Sequence, residues 1–365
     1  MASKTGAQDS LFVKATPNLL GVLFPLRWLW RWFTRRTGIL FVKRETDKFA
    51  PDPVAKLLAD GIVYGEGPRF RLREQALYFS DMHAHRVYKY DLATQRTEVV
   101  CDVPDKPSGL GWLPDGRLLI AAGAEPRQVL VFDGATNALE MYADMTSVTR
   151  VQANDMVVAA DGSLFVGNFG FDHTDALACT STTLVRVAAD RSVSVAATGL
   201  LFPNGSVITP DGKTLIVAET FGGRLTAFDI AADGQLSNRR VWADVGLPPD
   251  GICLDAEGCV WAAIPHVGIY KTAGGLVRVR EGGEVVDMVG FGQNGVLSCV
   301  FACQLGTDAA GKHHLFFLEA ATASEAELMK QPKEKRARNA ALRSIEVRVG
   351  PARSAASADY CGGYC

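Results

Sequence analysis

Apolar positions in this chain come as short runs punctuated by turn residues rather than at helical spacing. From Pro203 to Glu219 (PNGSVITPDGKTLIVAE), a polar entry leads into Val207 and Ile208. The turn Pro210-Asp211-Gly212-Lys213 follows, and Leu215, Ile216 and Val217 form a second run. That order predicts a β-hairpin closed by a tight turn. It returns from Gly65 (GEGPRFRLREQALYFSD), Pro107 (PSGLGWLPDGRLLIAA), Ala153 (ANDMVVAADGSLFVGN) and Pro249 (PDGICLDAEGCVWAAI). A degenerate copy starts at Phe301 (FACQLGTDAAGKHHLFFLEA), so six are present.

Aligned, the copies place Glu66, Ser108, Asn154, Asn204, Asp250 and Phe301 at one equivalent position, separated by 42, 46, 50, 46 and 51 residues. This period is that of a four-stranded propeller blade. A further strand follows each of the first five hairpins, as in HRVYKYDL from His85, TLVRVAA from Thr183 and RLTAFDI from Arg224. The predicted fold is all-β, a six-bladed β-propeller over residues 51–350. PVAKLLADGIVYGEG, ending at Gly67, echoes the outer-strand pattern near Trp242. Lys56 to Ala59 is therefore expected to supply the outermost strand of the last blade, beside strands near Leu315 and Ile345. Such a pairing closes the ring without a free edge.

The first strand of each blade lines the channel, so its entry residue points toward the axis. Five of the six equivalent positions are polar. Glu66, Asn154, Asn204 and Asp250 offer only oxygen donors, two of them anionic, which suits one hard divalent cation. Calcium fits best, with zinc, manganese and magnesium as alternatives. No histidine or cysteine occupies these positions, which disfavours a dedicated zinc site.

The EGP around Glu66, the ND at Asn154-Asp155, the PNG around Asn204 and the PDG around Asp250, in that order and at blade spacing, resemble the family of senescence marker protein (regucalcin), gluconolactonase and luciferin-regenerating enzyme. The resemblance spans roughly residues 51–350. It implies a divalent metal on Glu66, Asn204 and Asp250, with Asn154 as a further ligand or as a contact to substrate or water. It also implies a hydrolase opening a lactone or related small ester. With Asp250 beside the metal, that carboxylate is the candidate general base. Sugar-lactonase members often carry an arginine two residues before the ND asparagine; here the place is Gln152, a departure bearing on sugar-acid specificity. Gln152, His83, Ser108 and Asn168 are the candidate substrate contacts.

Three other functions share the architecture: organophosphate hydrolysis at a similar four-oxygen site, the metal-free condensation of strictosidine synthases, and a non-catalytic calcium-binding or scaffold propeller. The intact quartet speaks against the second.

A formal net charge of −2 argues against a nucleic-acid partner. Residues 1–50 differ in composition: up to Arg44, Asp9 is the only acid against eight basic side chains. The apolar run Leu19 to Leu26 is too short to span a bilayer. LRWLWRWFTRR, from Leu26, predicts a helix with Arg27, Arg31 and Arg35 on one stripe and three tryptophans around it. It fits a membrane interface through residues 18–38, a cap on the propeller, or an arginine-rich targeting peptide. The scattered cysteines show no redox motif, so the expected location is cytoplasmic, with or without membrane association. Cys361 and Cys365 stand apart on a C-terminal tail, residues 351–365.

His83 and His85 would share a face if they lay on a strand, which zinc could use; otherwise one is a loop histidine near the channel mouth and the other a surface residue. Phe169, Gly170 and Phe171 follow Asn168 at the strand's far end, a place for substrate-facing residues, though packing between blades is the better reading for the two phenylalanines. Glu219 and Thr220 occupy a position comparable to Asn168, where a solvated loop fits equally well. The run from Lys330 (KQPKEKRARNAALR) predicts a charged, solvated insertion in the last blade.

Overall fold

The computed structural model describes residues 54–353 apart from 124–125, 172–179, 267–273, 292–298 and 323. The N-terminal extension with its expected helix, and Cys361 and Cys365, lie outside the described residues.

The described chain opens with β1 (Lys56–Ile62) and then builds five blades in sequence order. Blade 1 is β2 (Gly65–Arg71), β3 (Ala76–Asp81), β4 (Arg86–Asp91) and β5 (Arg96–Asp102). Blade 2 is β6 (Pro107–Trp112), β7 (Leu118–Ala122), β8 (Gln128–Asp133) and β9 (Ala138–Asp144). Blade 3 is β10 (Ala153–Val158), β11 (Leu164–Asn168), β12 (Thr182–Val187) and β13 (Val193–Leu200). Blade 4 is β14 (Pro203–Ile208), β15 (Thr214–Glu219), β16 (Arg224–Ile230) and β17 (Leu236–Asp244). Blade 5 is β18 (Ile252–Leu254), β19 (Val260–Ile264), β20 (Gly275–Val279) and β21 (Val285–Gly290). Blade 6 takes β22 (Cys299–Thr307), β23 (His313–Ala320) and β24 (Ala340–Val347), and is completed by β1.

Six four-stranded antiparallel sheets result, as the repeat predicts. β1 pairs with β24 from Lys56 opposite Ser344 to Ile62 opposite Ala340, so the start of the propeller closes its end. Two short helices lie between β23 and β24: α1 (Glu325–Met329), just ahead of the charged run from Lys330, and α2 (Lys333–Arg336) within it, while the run's last residues enter β24. Ser324 caps α1 by accepting from the Glu327 N–H.

The hydrophobic core lies between blades. Alternate residues of one strand serve two neighbours: Leu215 and Val217 of β15 pack toward blade 3, Ile216 and Ala218 toward blade 5. In β19, Val260, Ala262 and Ile264 face blade 4, while Trp261 and Ala263 face blade 6. A strand buried on both faces reads as the continuous apolar runs of the sequence. Around the axis, the residue after each entry position decides how closely the inner strands approach. A Cβ on Gly205 would meet the Ile252 nitrogen at 2.5 Å and the Asp250 carbonyl at 2.6 Å. Gly67, at φ +52, would strike the Ser108 carbonyl at 2.4 Å.

Candidate metal centre

The entry residues come together as the repeat requires. Glu66, Ser108, Asn154 and Asn204 are the second residues of β2, β6, β10 and β14, and Asp250 stands just ahead of β18. All five are buried. Phe301, the sixth, is an apolar member of the core between blades 6 and 1.

The environment of this ring is anionic. Burial, then the negative charges of Asp250 and Asp155, push the Glu66 carboxyl well above its ordinary range; the Gly67 N–H and Arg69 oppose them. Asp250 is likewise raised, by burial and by Asp155, against a hydrogen bond from Asn204. Asp155 takes the place that glycine holds in blades 1, 2, 4 and 5. Its carboxylate meets Arg69 Nη2 at 2.7 Å, and the same nitrogen donates to the Met156 carbonyl at 2.6 Å. The one guanidinium here pairs with Asp155, and burial leaves Glu66 and Asp250 costly to ionise unless a cation stands beside them.

The amides complete the picture. Asn204 Nδ2 donates to Thr220 Oγ1 at 3.1 Å, and Thr220 donates onward to the Pro249 carbonyl at 2.8 Å. Asn204 Oδ1 is buried without a hydrogen-bond partner. Asn154 Oδ1 accepts from Ser108 Oγ at 3.2 Å, and its Nδ2 is the buried atom left over. Turning that amide by half a rotation keeps a bond to Ser108 and makes the buried atom left over an oxygen. Buried polar atoms without partners are rare and point to a ligand. The donor set of Glu66, Asn154, Asn204 and Asp250 therefore fits a hard cation. Among the described residues no three His, Cys, Asp or Glu side chains form a metal cluster; half of this quartet is amide.

Four substrate-contact candidates fall in distinct places. Ser108 is fully buried and its hydroxyl holds Asn154. Asn168 is turned into its own blade, donating to the Thr183 carbonyl at 2.7 Å and accepting from Thr182 Oγ1 at 2.7 Å. Gln152 lies at the same end of the blades as the quartet, with Nε2 3.7 Å from Met82 Sδ. His83 packs edge-on against Tyr64, ring centroids 5.4 Å apart, with Nδ1 3.9 Å from Glu325 Oε1 of α1. Tyr64 is close enough to the quartet that its hydroxyl pKa, raised first by burial, is raised further by Glu66 and Asp250. His83 and His85 do not share a strand face: both lie in the β3–β4 turn, and His85 has φ +58 with Nδ1 3.3 Å from the Pro104 carbonyl. The zinc-pair geometry fails for that reason.

The solvated-loop reading of Glu219 and Thr220 is also corrected. Thr220 braces Asn204, and Glu219 is fully buried, accepting from Thr226 Oγ1 at 2.6 Å, Leu201 N–H at 2.9 Å and Arg239 Nη2 at 3.0 Å. A cleft of about 740 Å³ opens at the other end of the blades, beside the β14–β15 turn. Its buried carboxylate, Asp255, is already neutralised by Arg278 Nε at 2.6 Å.

Among known proteins, the description "SMP-30/Gluconolactonase/LRE-like region" matches residues 64–309, a span holding the whole quartet. The chain belongs to the SMP-30/gluconolactonase/LRE-like family. It is similar to a 6-deoxy-6-sulfogluconolactonase of Pseudomonas putida, 25% identical over 232 residues, covering 62% of this chain and 75% of the relative. A pentonolactonase of Haloferax volcanii is 30% identical over 218 residues, covering 58% and 69%. In fold, the chain resembles the crystal structure of the calcium-binding protein regucalcin from Agrobacterium tumefaciens, with a TM-score of 0.66 at 19% identity over 87% of this chain and 100% of that one. No described helix is long and apolar enough to cross a membrane.

Proposed function

We propose that this SMP-30/gluconolactonase/LRE-like propeller hydrolyses a lactone at the axial entrance, where Glu66, Asn154, Asn204 and Asp250 hold one divalent cation, calcium first among the hard ions. The observation that carries this reading is the buried ring itself: the Glu66 and Asp250 carboxyl groups, both buried at the axis, beside the bare Asn204 oxygen. When bound, such a cation polarises an ester carbonyl and places positive charge where the oxyanion develops.

The chain's own groups do the rest. Asp250 has two carboxylate oxygens, so one can serve as ligand while the other accepts the proton of the attacking water. Its place among the proposed cation ligands puts that second oxygen beside the attacking water, which suits a general base. The water oxygen bonds to the carbonyl carbon, the ring C–O bond breaks, and the proton passes to the leaving alkoxide, giving a hydroxy acid. Asn204 holds Asp250 by a hydrogen bond, and Thr220 holds Asn204. Ser108 does the same for Asn154, since liganding groups need partners to fix their orientation.

The test is proton release in a pH-stat from a panel of lactones, using metal-stripped protein with calcium, manganese, magnesium or zinc added back. Turnover that vanishes on stripping and returns with a hard cation is expected. Full turnover in the stripped protein contradicts the assignment, and tight cation binding without turnover favours a non-catalytic calcium-binding propeller.

A further inference from the structure

We infer that the substrate of this site is a lactone carrying an apolar alkyl or aryl substituent rather than a polyhydroxylated one; the inference rests on the lactonase reading and names its substrate class. Phe202 directly precedes Pro203 and Asn204, and Phe169 directly follows Asn168 at the end of β11. Their rings stack at 4.9 Å and 9° across the boundary between blades 3 and 4. Phe221 stands edge-on to Phe202 at 5.3 Å and to Phe171 at 5.3 Å. Met82 and Tyr64 join this cluster from blade 1, the side of the axis that supplies Glu66. An apolar wall thus runs along the entrance end of the blades beside the ring of oxygen donors.

Two features make it a wall for a ligand as well as packing. Phe221 and Tyr64 are only half-buried, so part of the cluster's surface remains accessible. Of the polar residues beside these groups, Gln152 turns its amide nitrogen onto Met82 Sδ at 3.7 Å, and His83 packs edge-on against Tyr64 with Nδ1 3.9 Å from Glu325 Oε1. Apart from the Tyr64 hydroxyl, the six cluster side chains named cannot accept or donate a conventional hydrogen bond. Hydroxyls of a sugar-acid lactone pressed against them would lose water without replacement, a discrimination of about ten- to a hundredfold. An alkyl chain or aromatic ring would gain by burial against the same surface.

The experiment compares kcat/KM of the cation-loaded protein for glucono-δ-lactone, δ-nonalactone and dihydrocoumarin. A preference of about tenfold or more for the substituted lactones is expected. In Phe221→Ala that preference should fall by about tenfold, chiefly through KM, whereas Phe221→Leu, which keeps apolar volume, should retain most of it. Melting temperature and cation affinity by calorimetry show that each variant is folded with its metal site intact. A preference for glucono-δ-lactone, or an unchanged ratio in folded Phe221→Ala, overturns the inference while leaving the lactonase reading standing. No turnover of any lactone by the loaded protein removes that reading and the inference with it.

Discussion

At the scale of single residues, the side chains proposed as ligands are oriented from behind: Ser108 bonds to Asn154 and Thr220 to Asn204. Ser108→Ala removes the hydroxyl bonded to Asn154 and should cost about 1 kcal/mol of stability, with a cation affinity about tenfold weaker. Thr220→Val should weaken cation binding similarly by freeing the Asn204 amide, and calorimetric titration of each variant checks both. An unchanged affinity in either would show that the buried hydroxyl does not orient its asparagine. The ring of polar entry residues was legible in the sequence because each recurs at the entry of an apolar hairpin. Thr220 was not: a threonine after Glu219 looks like any polar loop, and only the approach of Pro249 from the next blade turns it into a brace. For His83 and His85 the sequence left a shared strand face and a loop placement open, and φ +58 at His85 decides for the turn.

Single strands and loops show why close approach matters as much as chemistry. Gly205→Ala places a methyl 2.5 Å from the Ile252 nitrogen, so β14 and β18 must separate. A loss of about 1–3 kcal/mol in denaturant unfolding is expected, with reduced cation affinity because Asn204 and Asp250 move apart. Glu219, at the end of β15, ties that strand to β16 and β17. Burial alone would raise its carboxyl, but Thr226, the Leu201 N–H, Arg224 and Arg239 outweigh burial and hold it below the ordinary carboxylate value. A lowered folded pKa means that this stabilisation is present above the unfolded value and is lost as pH falls through the folded one. Glu219→Gln should therefore be less stable than the wild type at neutral pH, and the gap should close on acidification below the ordinary carboxylate range. Thermal unfolding across pH tests this; a gap that widens in acid contradicts it. The blade count, strand order and closure by β1 were readable because turn chemistry and the short apolar runs of strands buried on both faces are written locally. The meeting of Phe169 and Phe171 with Phe202 and Phe221 was not, because it depends on how loops of two blades converge.

For the whole molecule, closure and charge act together. β1 supplies the outer strand of blade 6, so deleting Lys56–Ile62 leaves the β24 edge bare and should lower the melting temperature and promote aggregation. Glu66, Asn154, Asn204 and Asp250 come from blades 1, 3, 4 and 5, so the proposed cation would join four separate sheets. Ligand linkage then predicts about 2.7 kcal/mol of added stability when free cation reaches a hundred times its dissociation constant. The most direct measurement of the central claim is calcium affinity and lactone turnover recorded side by side for the wild type and Asp250→Ala. The wild type should bind one cation and turn over, while the folded variant should lose turnover and bind calcium far more weakly. Full activity or unchanged affinity in Asp250→Ala would show that the reaction and the cation are not held by this ring.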